Sequence, residues 1–183
     1  PMLLNAGQSL LVIVDMQDRL VPALDEPETV RNRVALLQRA AAQLAVPVVA
    51  TEQYPRGLGR TVEPVADLLP ENAMVDKTTF SAMKTPDFRT LLDSLPAERR
   101  QAVVCGAETH VCVLQTAIDL HAAGYATTVV ADAVGSRRAG DKAHGLARLR
   151  DAGGQVATAE MVVFEWLERA ATEDFRALAP LVK

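Results

Sequence analysis

The chain has 183 residues, close to the common size of one domain and long enough to bury a core, so a single domain over 1–183 is expected. Apolar residues make up 49% and charged residues 23%, which argues against a disordered chain, and a net charge of −4 with scattered basic residues gives no footprint for nucleic acid or an anionic membrane surface. No apolar run reaches the roughly 18 residues of a membrane span, the start lacks the regions of a signal peptide, and two cysteines are too few for a disulfide framework, so a reduced, cytoplasmic protein is expected. Pro1, followed by Met2, reads as a remnant of expression rather than as a catalytic amine.

Ser9 to Val14 is a continuous apolar run ending at Asp15, the pattern of a strand buried on both faces. Pro27 opens a helix whose stripe is Val30, Val34, Leu37, Ala41 and Leu44. Val46–Ala50 reads as a second strand, followed by the Gly- and Pro-rich segment TEQYPRGLGRT and a short helix near Val62–Leu69. Ala73–Val75 is a brief third strand leading into Lys77. Thr85, Pro86 and Asp87 read as the N-cap, first residue and first-turn acid of a helix ending near Leu95. Val103–Cys105 is a fourth strand, Cys112–Ala123 a helix, Thr127–Ala131 a fifth strand ending at Asp132, Asp141–Ala152 a helix and Gln155–Ala157 a sixth strand. Short helices complete the chain.

Alternating strands and helices imply an α/β fold: three α/β/α layers around a six-stranded, mostly parallel sheet. Ligands of such sheets bind beyond the carboxyl ends of the strands. Asp15, Glu52, Lys77, the Gly106–Cys112 turn and Asp132 are all expected on that edge. Singly each has an ordinary explanation: a capping acid, a solvated lysine, a small buried thiol. Together they make a chemical set. A carboxylate takes a proton from the thiol, and a lysine keeps the carboxylate ionised and favours the thiolate, as would a helix N-terminus at Cys112. The Gly106–Cys112 turn offers backbone N–H groups to an oxyanion.

The segments LLVIVDMQDRL, TEQYPRGLG, KTTFSAM and VVCGAETHVCVLQTAIDL, in this order, resemble the isochorismatase-like cysteine hydrolase superfamily along essentially the whole chain. TEQYPRGLGRTV and the later ARLRDAGG look most like the subgroup of isochorismatase-domain-containing proteins. The resemblance implies an Asp–Lys–Cys triad carried by Asp15, Lys77 and Cys112. It also implies a cis peptide between Ala107 and Glu108, which in the family directs the N–H groups of Glu108 and Cys112 toward the oxyanion. The reaction implied is attack on a carbonyl or related carbon of a small amide, carbamoyl or related substrate, a thioester-like intermediate, loss of an amine or ammonia, and hydrolysis. Relatives are usually homo-oligomers.

Two departures bear on the substrate. Family nicotinamidases carry an Asp-x-His metal motif after the second strand, where this chain reads Thr51-Glu52-Gln53-Tyr54, and His110, His121 and His144 lack metal-ligand spacing. No metal, no cofactor and no nicotinamidase activity are therefore expected. Isochorismate-cleaving enzymes act on a vinyl ether without depending on a cysteine nucleophile, so the family name is a poor guide here.

The expected pocket residues are Gln17, Leu20, Tyr54, Phe80 and Thr109. Gln17 reads as a hydrogen-bonding residue of the site edge or as a turn residue. Phe80 reads as a pocket wall or as core, and Tyr54 and Leu20 as lid or partner contacts. His110 is expected to point away, and Cys105 to be a plain core residue. Trp166 belongs to a subunit interface or to packing within the monomer. Two other readings compete. A Mg-dependent phosphoryl-transfer enzyme would want an acid where Gln17 stands. A non-enzymatic interaction or redox-sensing protein would use Cys112 only as an oxidisable thiol.

Overall fold

A computed structural model describes residues 3–183, so Pro1 and Met2 lie outside the described residues. Six strands form one parallel sheet: β1 (Ser9–Val14), β2 (Val48–Gln53), β3 (Met74–Lys77), β4 (Gln101–Ala107), β5 (Ala126–Gly135) and β6 (Gln155–Ala157). Their spatial order is β3-β2-β1-β4-β5-β6. The order reverses between β1 and β4, and the carboxyl-end crevice at such a reversal is where open α/β sheets bind ligands.

The apolar β1 run divides by alternation. Leu11 and Ile13 join the core beneath α1 (Pro27–Gln43), α6 (Ala159–Leu167) and α7 (Glu173–Val182). Leu10, Val12 and Val14 join the core beneath α3 (Pro86–Asp93), α4 (Leu114–Ala122) and α5 (Ala139–Asp151). Both faces of the sheet are thus covered, and each such aliphatic side chain contributes about 1.5–3 kcal/mol by leaving water.

Several elements differ from the sequence expectation. β2 runs Val48–Gln53 rather than Val46–Ala50, because Thr51, Glu52 and Gln53 all find partners inside the protein. The segment after it contains a single turn, α2 (Pro55–Leu58), and the expected Val62–Leu69 helix is only a 3-10 turn, Ala66–Leu68. Thr85 does not cap α3; its hydroxyl meets that of Thr79 at 2.9 Å. β5 continues through Asp132, so that residue does not sit at a strand end beside the crevice. It accepts the Ala159 N–H at the start of α6 and pairs with Arg33 instead. Trp166 is buried within the monomer, its indole N–H donating to Ser9 Oγ at 2.9 Å.

Candidate active site

β1 and β4 run side by side in register from Ser9↔Gln101 to Val14↔Gly106 and deliver their following residues to the crevice. Gly106 makes this approach possible: at φ +114°, a Cβ would lie 2.0 Å from the Val14 carbonyl oxygen. Asp15 follows with φ 50°, in the left-handed region. The Ala107–Glu108 peptide bond is cis, and a π-helical turn, Thr109–Val113, then leads into α4. Cys112 lies inside that turn, not at the first residue of the helix.

Asp15 and Lys77 form a wholly buried ion pair, Nζ to Oδ2 at 2.9 Å. Lys77 also donates to Gln53 Oε1 at 2.5 Å and to the carbonyls of Thr79 and Phe80, each at 3.1 Å. An ammonium has three N–H donors, so these four acceptors saturate it. The other Asp15 oxygen, Oδ1, accepts the Thr51 hydroxyl at 2.7 Å. Register explains the convergence: Thr51 sits opposite Val14, and Gln53 opposite Lys77.

Cys112 is nearly buried and is acted on by both members of the pair. Burial first, and then the charge and hydrogen bond of Asp15, push its thiol up to about 12, against the opposing pull of Lys77. These influences run against the thiolate expected from a helix terminus, and Cys112 lies within the turn rather than at the start of α4. Desolvation and an adjacent carboxylate outweigh the lysine and disfavour the thiolate.

The remaining expected residues are dispersed. Gln17 is fully buried and its polar atoms are committed to the backbone: its amide donates to the carbonyls of Gln53 and Gly59 and accepts the Gln53 N–H at 2.7 Å. It is a strut beneath the β2–α2 loop. Tyr54 is exposed and, with Pro55, Arg56, Lys77, Thr79 and Lys84, lines a cavity of about 480 Å³. Leu20, Phe80 and Thr109 lie outside that wall. Leu20 is half-buried and precedes the 3-10 turn Val21–Ala23; Phe80 is exposed and supplies its carbonyl to Lys77. Thr109 is buried, with a hydroxyl that has no partner. Glu108 anchors the turn by accepting both the N–H and Nε–H of Arg137 at 3.0 Å. His110 faces away toward Ser136 Oγ, 2.9 Å from its Nδ1. Cys105 is buried in the core, where burial pushes its thiol up.

Glu52, expected on the same edge, turns to Thr61 and Arg60. Burial opposes its ionisation, but these hydrogen bonds and the Arg60 charge prevail and hold the carboxyl below its usual range. Among the described residues no group of three His, Cys, Asp or Glu side chains is placed to hold a metal ion. Sequence reading missed Thr51 and Gln53. Their signal was the i, i+2 spacing at the carboxyl end of a strand, polar side chains on one face where the neighbouring strands place Asp15 and Lys77.

A buried acid–lysine pair beside a buried thiol at the β1/β4 crevice of a parallel sheet defines a class of α/β protein with a cysteine-centred site. The isochorismatase-domain family profile matches residues 9–161, and the chain belongs to that family. Isochorismatase domain-containing protein 2 of Xenopus laevis is 38% identical over 98% of this chain and 85% of its own length. A solved structure described as MAR1 ribonuclease from Caenorhabditis elegans superposes with a TM-score of 0.90 at 32% identity, covering 98% of this chain and 91% of its own. The YcaC gene product of Escherichia coli, described as an octameric hydrolase of unknown specificity, shares the fold with a TM-score of 0.91 at 24% identity over 99% and 89% of the two chains. No helix among the described residues is long and apolar enough to cross a membrane.

Proposed function

We propose that the protein is a cysteine-nucleophile hydrolase acting on the carbonyl of a small amide, carbamoyl or related molecule, with Asp15 as base, Lys77 as electrostatic anchor and Cys112 as nucleophile. The observation that carries this reading is the wholly buried Asp15–Lys77 pair beside the nearly buried Cys112 thiol. Burial and the Asp15 charge raise this thiol, so attack is coupled to proton transfer. The S–H proton passes to Asp15 while the sulfur electron pair forms the C–S bond. Negative charge then develops on the carbonyl oxygen, for which the backbone N–H groups of Glu108 and Cys112 are the candidate donors. Collapse breaks the C–N bond, and the proton held by Asp15 goes to the departing nitrogen. Water, deprotonated by Asp15, finally cleaves the thioester and restores the thiol.

Lys77 is shared among Asp15, Gln53 and two backbone carbonyls, so its part is to hold Asp15 ionised and in place and, by its charge and hydrogen bonding, to oppose the rise of the Cys112 thiol. The same chemistry weakens the redox-sensing alternative, since oxidation-prone thiols are exposed and low in pKa. A net charge of −4 and a nearly closed thiol support a small molecule over RNA as substrate, and a homo-oligomer is proposed from the family. The test is ammonia release from a panel of primary amides and carbamates, with mass detection of the acyl-enzyme. Turnover lost in Cys112→Ala supports the reading; turnover that survives that change, or ribonuclease activity dependent on Cys112, sinks it.

A further inference from the structure

We propose that Thr51 is a positioning residue that fixes Asp15 for proton transfer from Cys112; this rests on the reading of Asp15 as the base. Three observations point to it. The Asp15 carboxylate is fully buried, so no bulk water orients it, and its two oxygens are shared between Thr51 and Lys77: Oδ1 accepts the Thr51 hydroxyl at 2.7 Å, Oδ2 the Lys77 ammonium at 2.9 Å. Thr51 is itself held rigidly, opposite Val14 in the parallel ladder, with its carbonyl accepting the Asp15 N–H at 3.1 Å. Finally, the strand does not need the hydroxyl. A β-branched residue fills this buried position equally well as Val, the residue at 48 and 49 in the same strand.

The two partners of Asp15 differ in chemistry. An ammonium only donates, whereas a hydroxyl donates or accepts. Lys77 therefore keeps Oδ2 an acceptor in both protonation states. The proton leaving Cys112 settles on Oδ1, whose partner can serve the anion as donor and the neutral acid as acceptor. Only the S–H bond breaks and the O–H bond forms; no heavy atom of the pair has to move. Gln53, two residues on, performs the matching service for Lys77 from the same face of β2. Without the Thr51 hydroxyl the carboxylate keeps Lys77 as its only partner besides the thiol itself and loses its fixed aim at that thiol.

The experiment is first-turnover acylation of Cys112 by p-nitrophenyl acetate, followed by nitrophenolate release between pH 6 and 8, in the wild type, Asp15→Asn, Thr51→Val and Thr51→Ser. Transfer to a positioned base gives a rate nearly independent of pH in this window. Free thiolate attack instead gives a rate rising about tenfold per pH unit. The wild type and Thr51→Ser are expected to be flat and within about twofold of each other. Thr51→Val is expected to be about tenfold slower at pH 7, the worth of one hydrogen bond, and steeper with pH, at a melting temperature lowered by a few degrees because a buried carboxylate oxygen loses its donor. Should the valine variant not fold, Thr51→Ala replaces it against Thr51→Ser under the same criterion. A flat, wild-type-like profile in the hydroxyl-free variant beside a steep Asp15→Asn overturns the role of Thr51 alone, as does a serine variant as slow as valine. A wild type that does not acylate at Cys112, or an Asp15→Asn profile that stays flat, overturns the base reading and Thr51 with it.

Discussion

Asp15 and Lys77, sixty-two residues apart, meet at 2.9 Å with neither side chain exposed to solvent. Each is enclosed by further hydrogen bonds, Thr51 on the acid and Gln53 with two carbonyls on the base, so neither charge stands alone. Breaking such a pair from one side leaves an uncompensated buried charge. Lys77→Met is therefore expected to lower unfolding free energy by about 3–5 kcal/mol, measured by urea denaturation. Adding Asp15→Asn to it should recover part of that loss; a double variant less stable than the single one would contradict a simple pairing.

The opposed influences on Cys112 are separable by titration. In a Cys105→Ala background, followed by thiolate absorbance, Asp15→Asn is expected to lower the thiol from about 12, because the charge and hydrogen bond that raise it are gone. Lys77→Met should move it the other way. Burial, the largest cause, remains in both variants, so neither is expected to reach the ordinary value of about 8.5.

Both thiols are raised in the folded protein, which fixes a sign for alkaline stability. The unfolded chain releases these protons from about pH 8.5 upward while the native state still holds them, so stability is complete below that pH and falls above it. Each thiol contributes a slope of up to about 1.4 kcal/mol per pH unit. Denaturation midpoints measured from pH 8 to 10 should fall less steeply in Cys105→Ala and Cys112→Ala than in the wild type.

Glu52 gives the opposite sign. Its carboxyl lies below the usual range in the folded state, so its contribution is present above the unfolded value, near pH 4.3, and is lost as pH falls through the lowered folded value. Glu52→Gln is expected to be less stable than the wild type at pH 7, by about 1–3 kcal/mol for the charged hydrogen bonds to Thr61 and Arg60. The gap should close in acid. Urea midpoints at pH 7 and pH 3 check both halves.

The fold was legible because parallel strands buried on both faces read as unbroken apolar runs, as Ser9–Val14 does. Helix starts marked by proline, at Pro27 and Pro86, were equally plain. Asp15, Lys77 and Cys112 fell at strand ends that the topology gathers. What sequence concealed was register and burial. Thr51 and Gln53 acquire meaning only when β2 is set beside β1 and β3, and Gln17 looks like a site residue until its amide is seen bonded to backbone on three sides. The state of the Cys112 thiol was hidden for the same reason, since desolvation depends on what covers a residue rather than on its neighbours in the chain.

The Gln17 strut divides the labour of the loop it supports. It grips the chain at Gln53 and at Gly59, on either side of the five residues Tyr54 to Leu58, while the Tyr54 N–H donates to the Lys77 carbonyl at 2.8 Å and ties the near end of that span to β3. Changes of side chain at Tyr54, Pro55 and Arg56 reshape the cavity they line, while these backbone anchors stay in place. Under the proposed chemistry, a lineage drifting toward a new substrate has in those three positions a region where selectivity can vary while the Asp15–Lys77 pair is inherited intact.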